Sequence, residues 1–94
     1  QGATPMKRDM ELVRKIAFAI QDHPDGYVTP NLTVDGYSEA QIGVHVLLMM
    51  EAGLVEGSEI QSLHGPIGLP YRLKWAGHEF ADAARSETIW NRAK

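Results

Sequence analysis

Histidine is the residue type in this chain with the most chemistry to offer, and its spacing uses little of it. His23, His45, His64 and His78 fall in four separate stretches. No two stand three or four residues apart, the separation that sets two metal ligands on one helical face. His78-Glu79 opens like a zinc-protease motif, but His78-Glu79-Phe80-Ala81-Asp82 lacks the second histidine that motif needs. There is no cysteine, which removes thiolate zinc sites, disulfide frameworks and cysteine nucleophiles together. No glycine-rich run joins a strand to a helix in the order that cradles phosphate, and no Gly-x-Ser-x-Gly elbow presents a nucleophile. The expectation is a protein without metal, cofactor or catalytic residues, an enzyme assembled from distant positions being the remaining alternative.

The elements that would position any site follow from periodicity. Met6, Met10, Val13, Ala17 and Ile20, flanked by Leu12 and Ile16, recur every three or four residues and predict a first helix over Met6 to Gln21. It must stop at His23-Pro24-Asp25-Gly26, because proline disfavours helical geometry in the preceding residue and Asp-Gly suits a turn. From Tyr27 to Asp35, Val28, Leu32 and Val34 alternate with Thr29, Asn31 and Thr33, the pattern of a short or edge strand containing Pro30. Ser38 with Gln41 fits a capping box, and Tyr37 with Ile42 fits a hydrophobic staple. A helix therefore starts at Ser38, carries Ile42, Val46, Met49 and Met50, and closes at Gly53. Whether Ser38 to Ala52 forms one helix or two rests on Gly43, the one candidate break.

Leu54 to Leu63 and Tyr71 to Trp75 read as two strands of a hairpin, joined by a long loop, His64 to Pro70, rich in glycine and proline. Tyr71, Leu73 and Trp75 are expected on one face, Arg72 and Lys74 on the other. Gly77 to Arg85 has helical spacing, and Ser86 is placed to cap a further short helix carrying Ile89 and Trp90. This order predicts an α+β, winged-helix-like fold: a helical core with a small three-stranded antiparallel sheet and a β-hairpin wing. At 94 residues and 44% apolar composition, one packed domain from residue 6 to 94 is expected. Gln1 to Pro5 precede a candidate initiator, Met6, and read as a tag remnant or disordered leader. No apolar run exceeds the five residues of Val46 to Met50, far short of the ~20 residues that cross a bilayer, so a cytoplasmic protein without membrane contact is expected.

Several blocks resemble a known family: Met6-Lys7-Arg8-Asp9-Met10-Glu11-Leu12-Val13-Arg14, Gly36-Tyr37-Ser38-Glu39, Ala52-Gly53-Leu54, Leu73-Lys74-Trp75-Ala76-Gly77-His78-Glu79-Phe80, Asp82-Ala83-Ala84-Arg85 and Thr88-Ile89-Trp90-Asn91. They look like the bacterial and phage family catalogued as domain of unknown function 2513. The resemblance covers nearly everything from Met6 to Lys94. It implies a shared fold and a bacterial, often prophage-associated setting, with a basic helical tail following this position in many relatives. The family has no assigned activity, so the resemblance assigns no functional residues.

Charge then separates the binding classes. Between His23 and Pro70 there is no lysine or arginine, while Asp25, Asp35, Glu39, Glu51, Glu56 and Glu59 carry six formal negatives. That stretch holds both the second helix and the wing, the parts a winged helix lays on DNA, and it would repel phosphate. A DNA-binding regulator would instead use the basic ends, with Lys7, Arg8, Arg14, Lys15, Arg72 and Lys74 as its candidate patch. The apolar side of the second helix is too wide for one buried stripe, leaving an outward face of Gln41, Val44, His45, Leu48 and Glu51. Either the C-terminal helix or Trp90 covers Val44 and Leu48, or a protein partner does. Ile67 and Leu69, placed at the hairpin tip, extend that candidate partner-binding surface. The leading expectation is a non-catalytic module for protein contact or self-association, and the alternative is a DNA-binding regulator.

Overall fold

The computed structural model describes residues 7–23, 32–63 and 65–93, with side chains to residue 86 in the last segment. Its elements are α1 (Met10–Gln21), α2 (Glu39–Glu51), β1 (Val55–Ser62), β2 (Gly65–Leu73) and α3 (Trp75–Ala93). The architecture is α+β, three helices around a two-stranded antiparallel sheet. No helix among the described residues is long and apolar enough to cross a membrane.

Helix α1 begins at Met10, one turn later than periodicity predicts, because Asp9 takes the cap. Its carboxylate accepts from the backbone N–H of Glu11 at 2.9 Å and of Leu12 at 3.3 Å, filling donors that the first turn leaves without partners. The buried stripe centres on Leu12 and Ile16, with Val13, Ala17 and Ile20, while Met10 stays partly in solvent. Met6 and the segment 24–31 lie outside the described residues, as does the tag or leader, Gln1 to Pro5.

Helix α2 has the start its sequence announces. Ser38 Oγ accepts from the Gln41 N–H at 3.1 Å and Gln41 Oε1 accepts from the Ser38 N–H at 2.8 Å. It is one helix through Gly43. That glycine is a close approach rather than a break: a Cβ there would sit 2.7 Å from Cβ of Ile67 on β2. Gly68 answers it, since a Cβ at 68 would meet the Leu47 backbone N at 2.8 Å, so helix and strand touch almost backbone to backbone. The helix ends in a left-handed Gly53, φ +78°, with the Leu54 N–H donating to Met49 C=O at 2.9 Å and the Gly53 N–H to Met50 C=O at 3.1 Å. Those two bonds satisfy carbonyls that the last turn exposes.

The sheet corrects the three-stranded expectation: two strands are present among the described residues. Leu32 to Val34 are not in a strand, and Tyr27 to Asn31 lie outside the described residues. The alternation read there is real at the level of side chains, since Leu32 and Val34 are half-buried and Thr33 is exposed. Period-two burial requires an extended chain, not a ladder.

The long hairpin loop is also corrected. Gly65 to Pro70 belong to β2, and Ser62 pairs with Gly65. An antiparallel strand points successive N–H groups alternately toward and away from its neighbour, so Pro66 and Pro70, four apart, share one parity and fit an edge strand together. The register slips between Glu56 and Gly57, which pair with Arg72 and Pro70, leaving Tyr71 as the extra residue of a β-bulge. The bulge reverses the facing of the strand end. Leu73 is buried, Tyr71 is exposed with its hydroxyl 2.5 Å from Ser58 Oγ, and Trp75 opens α3 with 81% of its surface in solvent. The expected common face of Tyr71, Leu73 and Trp75 does not form.

Helix α3 is continuous, so Ser86 lies within it instead of capping a separate helix. No glycine or proline follows Gly77 to stop it. Gly77, Ala81 and Ala84 form its buried side. Outside this seam Arg85 donates to Gln21 Oε1 at 2.9 Å and Asp22 Oδ1 at 2.8 Å while stacking over the Phe18 ring at 4.4 Å, and Gln21 donates to Asp82 at 3.0 Å. The core is completed by Ile42, Val46 and Met49 of α2 with Val55 and Leu73 of the hairpin.

Candidate partner-binding surfaces

The Gly53 turn carries Leu54 back beside Met49, and this fold-back shapes one wall of a groove. The start of α1 supplies Met10 and Val13, α2 supplies Leu48, and α3 supplies Phe80. The groove holds about 340 Å³, with exposed Arg8 and Glu51 on its border. That is within the size range of small binding sites, and its floor is apolar. A second recess of about 270 Å³ lies on the other flank of α2, against β2, where Ile67, Leu69 and Pro70 meet Leu32 and Ile42.

The expected partner face is therefore divided. Leu48 lines the groove, and among the described side chains α3 reaches the groove through Phe80. Ile67 and Leu69 sit in mid-strand beside the second recess, not at a hairpin tip. Val44 is half-buried, and Gln41 is exposed but committed to the capping box. Trp90 has no described side chain.

His45 departs furthest from expectation, with 2% of its surface exposed. Its Nε2 accepts from the Asp9 backbone N–H at 2.9 Å, and its Nδ1 lies 2.8 Å from the Gln41 carbonyl oxygen. A ring that must accept at one nitrogen and donate at the other is neutral with its hydrogen on Nδ1. His45 thus joins α2 to the cap of α1 and is not part of an outward surface. Asp9 also receives the Tyr37 hydroxyl at 3.3 Å. Loss of solvent around the phenol, and then the Asp9 carboxylate, push the Tyr37 pKa above the ordinary 10.0.

The six candidate bases do not form one uncompensated stripe. Arg72 is paired with Glu56 across the hairpin, and Lys15 lies over the Tyr37 ring at 5.5 Å. Arg14 is half-buried, and Lys7, Arg8 and Lys74 are exposed. Among the described residues no three of His, Cys, Asp and Glu come together as a metal site, and His64 lies outside them. His78 and Glu79 are exposed on α3, with His78 Nδ1 3.5 Å from Gln21 Nε2.

Met10, Val13, Leu54 and Phe80 were not legible as a site in the sequence. The signal available was Met10, which lies at the margin of its helical stripe, but only the fold sets it opposite Leu54 and Phe80.

A protein of Haemophilus influenzae, described as uncharacterised, is 30% identical to this chain over 97 residues, a match spanning 95% of this chain and 76% of that protein. No solved structure matches the chain. The pattern of the family described as hypothetical proteins, DUF2513, matches residues 7–94. With the match running through every element described above, the chain belongs to the DUF2513 family.

Proposed function

We propose that the chain is a cytoplasmic, non-catalytic protein-binding module of winged-helix type, and that the groove between α1, α2 and α3 is its contact surface. The observation that carries this reading is an open groove whose floor, Met10, Val13, Leu48, Met49, Leu54 and Phe80, is apolar among the described residues, with Arg8 and Glu51 at its border. Isolated apolar side chains on a surface are ordinary, but a concave cluster of Met10, Leu48, Leu54 and Phe80 marks a place where contact removes water. The succession of α2 directly into the hairpin, with α2 packed against it, supports the winged-helix reading. Charge supports protein over DNA: α2 and the hairpin through Pro70 contribute acids and no base, so counterion release has no source there.

A photoreactive benzoylphenylalanine in place of Leu48, installed in the native host, tests this directly. The expected result is a protein adduct that is absent when the same group replaces the exposed Glu79 outside the groove. Adducts to nucleic acid alone, or equal capture at both positions, would refute the reading.

A further inference from the structure

The two edges of the hairpin are built differently. On β2, Pro66 and Pro70 occupy the parity that points away from β1, since either one turned inward would cost the ladder a bond. A further strand cannot add to that side with a full set of bonds, and α2 lies against β2 as well. The register carries the same parity across to β1. Gln61 stands opposite Pro66 and Glu59 opposite Gly68, so the backbone N–H and C=O groups of Glu59 and Gln61 point outward, away from β2. No proline interrupts β1, and among the described residues no backbone bond outside the hairpin ladder reaches Glu59 or Gln61. Glu59, Ile60 and Gln61 are all exposed, Ile60 with 41% of its surface in solvent. The helices meet the hairpin mainly through β2, which leaves this edge clear among the described residues.

A strand whose outward polar groups stand open is a template for another strand, and β1 is its own complement in one antiparallel register. We infer that β1 pairs with β1 of a second copy about a twofold axis through Ile60, joining the two hairpins into one continuous antiparallel sheet. Glu59 then faces Gln61 of the second copy, Gln61 faces its Glu59, and each facing pair exchanges both of its backbone hydrogen bonds. The two Ile60 residues oppose each other at the intervening non-hydrogen-bonded position, where side chains stand closest. Charge selects this register. An axis through Glu59 would set two carboxylates against each other, and an axis through Ser58 would set Ile60 against Glu56, which is already paired with Arg72. This surface is distinct from the groove between the helices and stands whether or not that groove binds a partner.

Sedimentation velocity of the purified protein, from low micromolar to near-millimolar, reads this out, and a reversible dimer is expected. Gln61→Glu opposes like charges at both facing pairs and should weaken the dimer ~2- to 30-fold, whereas Gln61→Lys sets a cation against Glu59 and should tighten it by a similar factor. Glu59→Pro removes an outward N–H from each copy, as Pro66 and Pro70 do on β2, and should weaken it ~5- to 150-fold. Because Gln61 is exposed, thermal unfolding of both its variants at low protein concentration should match the parent protein. The chain has no cysteine, so Ile60→Cys introduces a single thiol. Oxidised glutathione should link two copies of that variant through a disulfide, and should not link two copies of Glu79→Cys, placed on α3. A protein that stays monomeric throughout, a dimer that the two Gln61 variants leave unchanged or shift in the same direction, or equal cross-linking at positions 60 and 79 overturns the pairing of β1.

Discussion

Gly77 is the third residue of α3, a place where helix propensity favours replacing glycine with alanine by about 1 kcal/mol. The structure reverses that sign. A Cβ at residue 77 would fall on the carbonyl oxygen of Leu54 and within 2.9 Å of Leu73 Cδ2. The leucine side chain can turn away, but the carbonyl cannot, because the same oxygen accepts the Lys74 N–H at 2.8 Å and so holds the entry to α3. Overpacking costs about 1–3 kcal/mol, and disturbing that hydrogen bond adds about 0.5–1.5 kcal/mol. Less the propensity gain, Gly77→Ala should destabilise the fold by about 1–3 kcal/mol. For a domain of this size that lowers Tm by about 5–20 °C, readable by calorimetry or circular dichroism. Ala76→Gly, at the exposed neighbouring position, is the control and should lose only the propensity difference of about 1 kcal/mol. A Gly77→Ala protein that melts at or above the parent temperature would refute the packing explanation.

Other substitutions probe the remaining joints. His45→Ala leaves the Asp9 N–H without its acceptor and opens a void beside Val46, so urea unfolding should show a loss of about 2–4 kcal/mol. Ser38→Ala removes half of the α2 capping box and should cost about 1 kcal/mol in the same assay. Tyr37 keeps its proton more tightly when folded, so its contribution is complete below pH about 10, its unfolded value, and is lost as pH rises through the higher folded value. Tyr37→Phe should therefore flatten the fall of Tm above pH about 10, and parallel curves for the two proteins would count against the Asp9 contact.

What could be foreseen was whatever local chemistry decides. Ser38, Gln41 and Gly53 bound α2 through bonds made within a few residues of themselves, so their meaning survives without a partner element. The stop after Gln21 belongs to the same class. Gly65 to Pro70 misled because glycine and proline signal a loop only when nothing else needs them; here Gly68 is small because α2 lies against it, and the prolines tolerate an edge. His45 misled for a related reason. A helical wheel ranks histidine as polar and outward, while its partner is a backbone N–H thirty-six residues earlier in the chain. The groove was hidden in the same way, since its walls come from three helices and acquire meaning only once the Gly53 turn has folded Leu54 back.

The imidazole of His45 bears on how quickly the proposed contact would form. Terminal turns of helices ordinarily fray, and a wall built on one would have to be reassembled at each encounter. Here the residue that precedes the first turn of α1 is tethered to the interior of α2, with Arg8 and Met10 on either side of it. If the groove is the contact surface proposed above, its α1 wall is held in place before a partner arrives, and less entropy would be lost there on docking.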